Sequence, residues 1–184
     1  MKSLKITNLL YFILLLSCNW INKQVVNNSM HSNKAIDSLL RSNSNTVILT
    51  YSKDCPFCIR YTETIRKINK ELPKNFQLYL LKVLEDEEWD FQDQYLTTSN
   101  LLNNNKDVII SSYNLSVYPE VLILDSVGNM LYKGKIDNRA HETGIVKSVV
   151  TKEYLKTAIT EISNGTNNYI KRTQSVGCFI ETEN

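Results

Sequence analysis

Two cysteines, Cys55 and Cys58, are placed between a segment with the pattern of a buried strand and a segment with the pattern of a helix. The strand pattern is the β-branched apolar run 46–51. The helix pattern begins at Pro56, which suits a first helical position because its missing N–H is not needed there, and Pro73 ends it. The apolar stripe of this helix has helical spacing and consists of Tyr61, Ile65, Ile68 and Leu72. The fold must therefore place the two cysteines at the beginning of a helix that directly follows a strand.

Strand and helix patterns also alternate along the rest of the chain. After the first helix they follow as a strand at 76–83, a helix-compatible acidic stretch at 85–100, a short apolar patch at 108–110, a strand hairpin at 121–133 and a helix at 154–162. Thr151 is the candidate N-cap of that last helix and Gly165 is its stop signal. This alternation predicts an α/β fold, with a sheet that contains parallel strands and has helices on its faces.

The N-terminal segment has the features of an export signal. Lys2 and Lys5 precede an apolar run at 9–16, which is too short for a transmembrane helix of roughly 20 residues. The run ends in Leu-Leu-Ser-Cys, which resembles a bacterial lipobox with Cys18 as the lipidated residue. We therefore expect a signal peptide of lipoprotein type at 1–17 and a membrane-anchored protein that faces the periplasm or the cell exterior. Soluble export and a retained membrane anchor are the alternatives.

Charge and composition exclude some classes of partner. The chain has 184 residues, with 21 basic and 19 acidic ones, and it contains no basic block of the kind that binds nucleic acid. Cleavage after residue 17 would remove Lys2 and Lys5, so the basic residues would fall from 21 to 19 and equal the acidic ones. Steering of partners by net charge is then not expected.

The position of the cysteines predicts their chemistry. Cys55 would lie where a helix begins, close to unpaired N–H groups and to the positive end of the helix dipole. Such a site lowers the pKa of a cysteine from about 8.5 to about 3.5–7.5; Lys53 and Arg60 would assist, and Asp54 would oppose them. We expect Cys55 to attack a substrate disulfide and the more deeply buried Cys58 to resolve the mixed disulfide. Cys178 is either a spare buried thiol or a third redox cysteine.

Other interpretations of the cysteine pair are a structural disulfide and half of a zinc site. Zinc requires four ligands, commonly two such pairs or a pair with closely spaced histidines. The remaining ligand candidates of that kind, Cys178, His31 and His141, are isolated in the sequence. We therefore expect no metal site and no cofactor other than a redox-active disulfide.

Four ordered motifs resemble bacterial thioredoxin-like redoxins, a family related to the alkyl hydroperoxide reductase and thiol-specific antioxidant group. The motifs are Tyr-Ser-Lys-Asp-Cys-Pro-Phe-Cys at 51–58, Tyr-Pro-Glu-Val at 118–121, Tyr-Lys-Gly-Lys-Ile-Asp-Asn-Arg at 132–139, and Arg-Thr with Val-Gly-Cys between 172 and 178. The resemblance implies a thioredoxin-like fold, with a central mixed sheet flanked by helices. It also implies that Tyr118 and Pro119 form a cis-proline loop that packs against the dithiol and pairs with the substrate backbone.

Several residues depart from the family pattern. Asp54 replaces the tryptophan usual before the first cysteine, and Leu49 stands where thioredoxin has a buried aspartate that accepts a proton. The long separation between Cys55 and Pro119 implies an insertion between the second strand and the cis-proline loop. With these features, we expect a tether at 18–33, a thioredoxin-like domain at 34–165 and a C-terminal tail at 166–184 that carries Cys178.

The resemblance implies an exported thiol–disulfide oxidoreductase that acts on protein dithiols or disulfides and exchanges electrons with a redox partner protein. A peroxiredoxin-like peroxidase is an alternative, since Ser52 is placed as it requires and Arg139 is a candidate for its arginine. Ile48, however, occupies its expected proline position, and a second cysteine at Cys58 is not its usual arrangement. A non-catalytic metallochaperone that binds Cu(I) through Cys55, Cys58 and Cys178 is another.

Overall fold

A computed structural model describes residues 43–84, 101–102, 106–140 and 147–181. The expectations for the signal peptide at 1–17, for lipidation of Cys18, for the tether at 18–33 and for a helix at 85–100 fall outside the described residues. Within the described residues, no helix has the length and apolar character needed to cross a membrane.

The described residues form seven strands and three helices. In chain order they are β1 (Asn45–Tyr51), α1 (Pro56–Glu71), β2 (Phe76–Lys82), β3 (Leu101–Leu102), α2 (Lys106–Tyr113), β4 (Val117–Tyr118), β5 (Val121–Leu124), β6 (Met130–Gly134), α3 (Tyr154–Ser163) and β7 (Cys178–Phe179).

A mixed five-stranded sheet, in the order β3-β2-β1-β5-β6, forms the centre of the fold. β1 pairs in parallel with β2, and β2 with β3, whereas β5 runs antiparallel to both β1 and β6. The peptide bond between Tyr118 and Pro119, just before β5, is cis. A parallel β-α-β unit followed by an antiparallel hairpin that a cis-proline precedes is the arrangement of the thioredoxin fold, so the predicted fold class is confirmed.

The helices cover both faces of the sheet because side chains alternate along each strand. On one face, Val47 and Leu49 of β1 belong to the same buried cluster as Ile65 of α1 and Ala158 of α3. On the other face, Ile48 belongs to a second cluster with residues of α2, including Ile109 and Ile110. Full burial of each large aliphatic side chain stabilises the fold by about 1.5–3 kcal/mol. The two layers hold the end of β1 and the start of α1 at a fixed position.

One short apolar pattern is assigned to a helix here, and one capping expectation is wrong. The apolar patch 108–110 is part of helix α2, whose tertiary contact with the sheet outweighs its weak sequence pattern. Thr151 does not cap α3, because that helix begins after Glu153. The hydroxyl of Thr151 instead accepts a hydrogen bond from the amide of Asn138 at 2.7 Å. Gly165, with φ of +70°, does follow the end of α3 as expected.

The tail after α3 packs back onto the domain. The backbone of Arg172 forms an isolated parallel β-bridge with Lys133 of β6, and β7 pairs antiparallel with β4. Gly134, with φ of +143°, lies directly against Thr173, where a Cβ atom would collide with the threonine backbone. The tail is thus part of the folded unit, although a two-residue strand has no periodicity that a sequence pattern could reveal.

Candidate thiol site

Cys55 is the residue that precedes helix α1, at the end of a tight turn after β1. Its backbone is extended, and its carbonyl accepts the N–H of Ile59 at 3.0 Å, which closes the first turn of the helix. Before it, the hydroxyl of Ser52 accepts the N–H of Asp54 at 3.1 Å. This strand–turn–helix junction places the sulfur of Cys55 at the positive end of the helix dipole, as the sequence predicted.

Cys58 lies one turn further along α1 and is fully buried. Residues three apart on a helix share a face, so Cys58 lies on the same side of α1 as Cys55. Cys55 is only 2% exposed, so the expected contrast in burial between the two is small. The reason is tertiary, because other parts of the chain cover Cys55.

The structure joins Cys55 to Cys178 in a disulfide, with their Cα atoms 6.6 Å apart, and leaves Cys58 as a buried thiol. Spacing in the sequence had favoured Cys58 as the partner of Cys55. The actual partner lies 123 residues away, a separation that carries no local signal. Cys178 is therefore not a spare thiol in this structure but a member of the site.

Tyr118 and Pro119 lie beside this disulfide. The carbonyl oxygen of Tyr118 is 3.5 Å from the sulfur of Cys55, and Tyr118 is the register partner of Cys178 across the β4–β7 pair. The pair continues through Val117 and Phe179, and beyond it the N–H of Ile180 donates to the carbonyl of Ser116 at 3.0 Å. The cis-proline loop, the helix terminus and the tail thus meet at one point.

Thr50 positions the cis-proline loop, a role that the sequence analysis missed. Its buried hydroxyl donates to the carbonyl of Val117 at 2.8 Å and accepts the N–H of Glu120 at 2.8 Å. The backbone N–H of Thr50 also donates to the carbonyl of Glu120 at 3.0 Å. The sequence feature that could have indicated this role is a hydroxyl side chain on a buried strand directly before the cysteine motif.

A groove of about 610 Å³ runs along the tail next to this loop. One wall contains Glu120, which is only 4% exposed. Its carboxylate accepts the N–H of Ser116 at 3.1 Å and lies 3.8 Å from the ammonium of Lys133.

Asp137 forms an ion pair with Arg139, with a closest distance of 2.6 Å. The guanidinium also donates to Thr64 of α1 and lies over the ring of Tyr61. Burial raises the pKa of Tyr61, and the hydrogen bond that its hydroxyl donates to Asp137 raises it further. The hydrogen bond to Asp137 likewise raises the pKa of Arg139. This network fastens the loop after β6 to α1.

In the part of the chain that the structure describes, no group of three or more His, Cys, Asp or Glu residues is arranged to hold a metal ion. His31 and His141 fall outside it.

In comparisons with protein-family models and with curated proteins, nothing matches this chain. Among solved structures, an uncharacterized conserved protein from Geobacillus kaustophilus is similar, with a TM-score of 0.56 and 22% identity over 78% of this chain and 80% of that one. A hypothetical protein from Sinorhizobium meliloti 1021 has a TM-score of 0.60 and 16% identity over 78% and 82%. The exposed lipoprotein thioredoxin of Streptococcus pneumoniae strain TIGR4 has a TM-score of 0.37 and 16% identity over 50% and 73%. The first two likenesses show a shared fold.

Proposed function

We propose that this protein is a thiol–disulfide oxidoreductase in which Cys55 is the attacking residue and Cys58 the resolving one. The observation that carries the proposal is the placement of the Cys55 sulfur at the N-terminus of α1, 3.5 Å from the carbonyl of Tyr118. A helix N-terminus favours a thiolate, and the adjacent cis-proline loop offers backbone groups that an extended peptide could pair with.

The reaction is a pair of exchanges. The thiolate of Cys55 attacks one sulfur of a substrate disulfide, so that a mixed disulfide forms and the other substrate sulfur leaves as a thiolate that takes up a proton. Cys58 then loses its proton and attacks the sulfur of Cys55. The Cys55–Cys58 bond forms, and the second substrate thiol is released. The substrate gains two electrons from the dithiol of this protein. A partner protein with a dithiol then reduces the Cys55–Cys58 disulfide. The reverse sequence of steps would oxidise a substrate dithiol.

Proton transfer in this site differs from that expected with a buried aspartate. Leu49, at the corresponding position, is part of the apolar core and has no titratable group. Glu120 is held by Ser116 and Lys133 on the groove wall. We therefore assign the proton of Cys58 to solvent water.

Export and anchoring to a membrane complete the proposal. Support comes from Lys2, Lys5, the apolar run 9–16 and the lipobox-like segment that ends at Cys18. Expression of the full chain in a bacterial host tests this part. The protein should fractionate with membranes and carry lipid on the N-terminal peptide, and Cys18→Ser should abolish the lipid. If protein in the membrane fraction carried no lipid on Cys18, anchoring through that lipid would be contradicted.

The catalytic assignment is tested by reduction of insulin disulfides with a dithiol as electron source. Cys55→Ser should lower the rate to the uncatalysed background, because no other residue takes its place at the helix terminus. Cys58→Ser combined with Cys178→Ser should accumulate a covalent complex with the substrate, because neither cysteine is then present to attack the sulfur of Cys55. Val127→Ser, at an exposed position, is the control and should match the unaltered protein. Full activity of Cys55→Ser would refute the proposed function.

A further inference from the structure

The C-terminal residues 176–180, here called the tail peptide, occupy the edge of β4 next to Cys55. Their strand runs antiparallel to β4, with Cys178 opposite Tyr118. Val176, Cys178 and Ile180 are partly buried against the core. Phe179, which lies between Cys178 and Ile180, is 80% exposed. This alternation is that of an extended peptide bound along a strand edge.

The contact between the tail peptide and the cis-proline loop is close. A Cβ atom on Gly177 would collide with the carbonyl of Tyr118 and would lie 3.2 Å from the nitrogen of Pro119. Glycine at this position therefore allows the tail backbone to approach the loop, and this approach lets the next residue, Cys178, reach the sulfur of Cys55.

We propose that the tail peptide is a tethered internal substrate: it closes the thiol site through the Cys55–Cys178 disulfide, and Cys58 reopens the site by thiol–disulfide exchange. The proposal rests on the function assigned above and adds Cys178 to the cysteines that take part in the redox cycle. A peptide of similar form, with glycine before its cysteine, is the substrate class that this edge accommodates.

The opening step is balanced within the chain. Cys58 gives its proton to water, and its thiolate attacks the sulfur of Cys55. The Cys55–Cys58 bond forms as the Cys55–Cys178 bond breaks, and Cys178 leaves as a thiolate that takes up a proton. One disulfide replaces another, so no external oxidant or reductant is needed. The tail peptide, no longer cross-linked, can leave the edge of β4.

The tether makes the tail peptide a strong competitor of external substrates. It is joined to the end of α3 at Ser163 by the short segment 164–175, and short linkers give effective concentrations in the range of about 1 mM. An external peptide must displace it, so the closed state protects Cys55 from weakly binding thiols and disulfides.

Disulfide mapping tests the proposal. The full chain and its Cys58→Ser and Cys178→Ser variants would be equilibrated in glutathione buffers, quenched with acid, alkylated and analysed by mass spectrometry. We expect a Cys55–Cys178 link in Cys58→Ser, a Cys55–Cys58 link in Cys178→Ser, and both links in exchange in the unaltered protein. Absence of the Cys55–Cys178 link from Cys58→Ser would overturn the proposal.

Hydrogen exchange tests whether the link closes the site. The N–H of Ile180, which donates to Ser116, should exchange at least about tenfold more slowly in oxidised Cys58→Ser than in oxidised Cys178→Ser, because only the first holds the tail on β4. Equal exchange in the two variants would show that the tail peptide is not released and would refute the opening step.

A matched glycine pair separates docking from general loss of stability. Gly177→Ala should lower the fraction of the Cys55–Cys178 link about tenfold at a fixed glutathione ratio, because its Cβ forces the tail off Tyr118. Gly165→Ala, whose Cβ would meet no atom within 4 Å, should leave that fraction unchanged; equal fractions in the two variants would count against docking through Gly177. Insulin reduction by Cys55→Ser is the separate test of the underlying activity, so failure of the two proposals can be told apart.

Discussion

Tyr118 and Cys178 are register partners across β4 and β7, and the carbonyl of the same tyrosine lies 3.5 Å from the sulfur to which Cys178 is joined. One backbone unit therefore contacts both ends of the disulfide. The geometry of the site depends on how firmly the cis-proline loop is held, and the residues that hold it lie on β1, β6 and the tail.

Thr50→Val should lower the free energy of unfolding by about 1–3 kcal/mol, because the buried N–H of Glu120 would lose its hydrogen-bond acceptor. Thr46→Val on the same strand is a matched control. Thr46 is equally buried, and among the described residues its hydroxyl has no hydrogen-bond partner, so the change should be neutral or stabilising. Urea unfolding of both variants gives the comparison. Equal destabilisation would mean that the hydrogen bonds of Thr50 do not hold the loop.

Gly134→Ala should destabilise the protein more than Gly165→Ala does. Both glycines have positive φ, so both substitutions add backbone strain of about 1–2 kcal/mol. Only at Gly134 would the new Cβ also collide with the backbone of Thr173, which adds about 1–3 kcal/mol of overpacking. Denaturant unfolding measures the difference. If both variants lost the same free energy of unfolding, the close contact between Gly134 of β6 and Thr173 of the tail would be contradicted.

Lys133→Met should destabilise the protein by about 1–3 kcal/mol, because it leaves the buried carboxylate of Glu120 without its nearby cation. The added substitution Glu120→Gln should recover part of this loss, since it removes the unpaired charge. A double-mutant cycle on urea unfolding energies measures the coupling. Additive effects would show that the 3.8 Å separation carries no net attraction.

Stability should fall as the pH rises above 10, the ordinary pKa of tyrosine, because burial raises the pKa of Tyr61 and of Tyr132 in the folded protein. The unfolded chain loses these protons first, so deprotonation favours unfolding; below pH 10 this contribution is fully present. Tyr61→Phe should reduce the slope of stability against pH by up to about 1.4 kcal/mol per pH unit.

Urea unfolding between about pH 8 and about pH 11 measures that slope. The experiment is best done with Cys58→Ser as the parent, which prevents thiol exchange at alkaline pH. Tyr79→Phe is the control, because the hydroxyl of Tyr79 forms an exposed hydrogen bond with Gln77. An unchanged slope in Tyr61→Phe would contradict the assignment.

Local patterns predicted much of the fold. The strand before Cys55, the Pro-started helix after it and the hairpin from Val121 are all present because each has a periodicity or a turn signal of its own. The resemblance of four motifs supplied the cis-proline loop, whereas the contact between Gly134 and Thr173 was not predicted. By contrast, the apolar residues of α2 had no clear helical pattern, because packing against the sheet stabilises that short helix more than its own sequence does.

The sequence by itself determined that a thiol would open a helix after a buried strand, since Cys55 and Pro56 lie at that junction whatever the rest of the chain does. Only the tertiary structure decided which thiol Cys55 is joined to. Cys58 lies near Cys55 because the two residues are about one helical turn apart. Cys178 lies near Cys55 because Gly177 lets the tail lie against Tyr118. That approach depends on the close fit of two backbones distant in the chain, and no local spacing encodes such a fit.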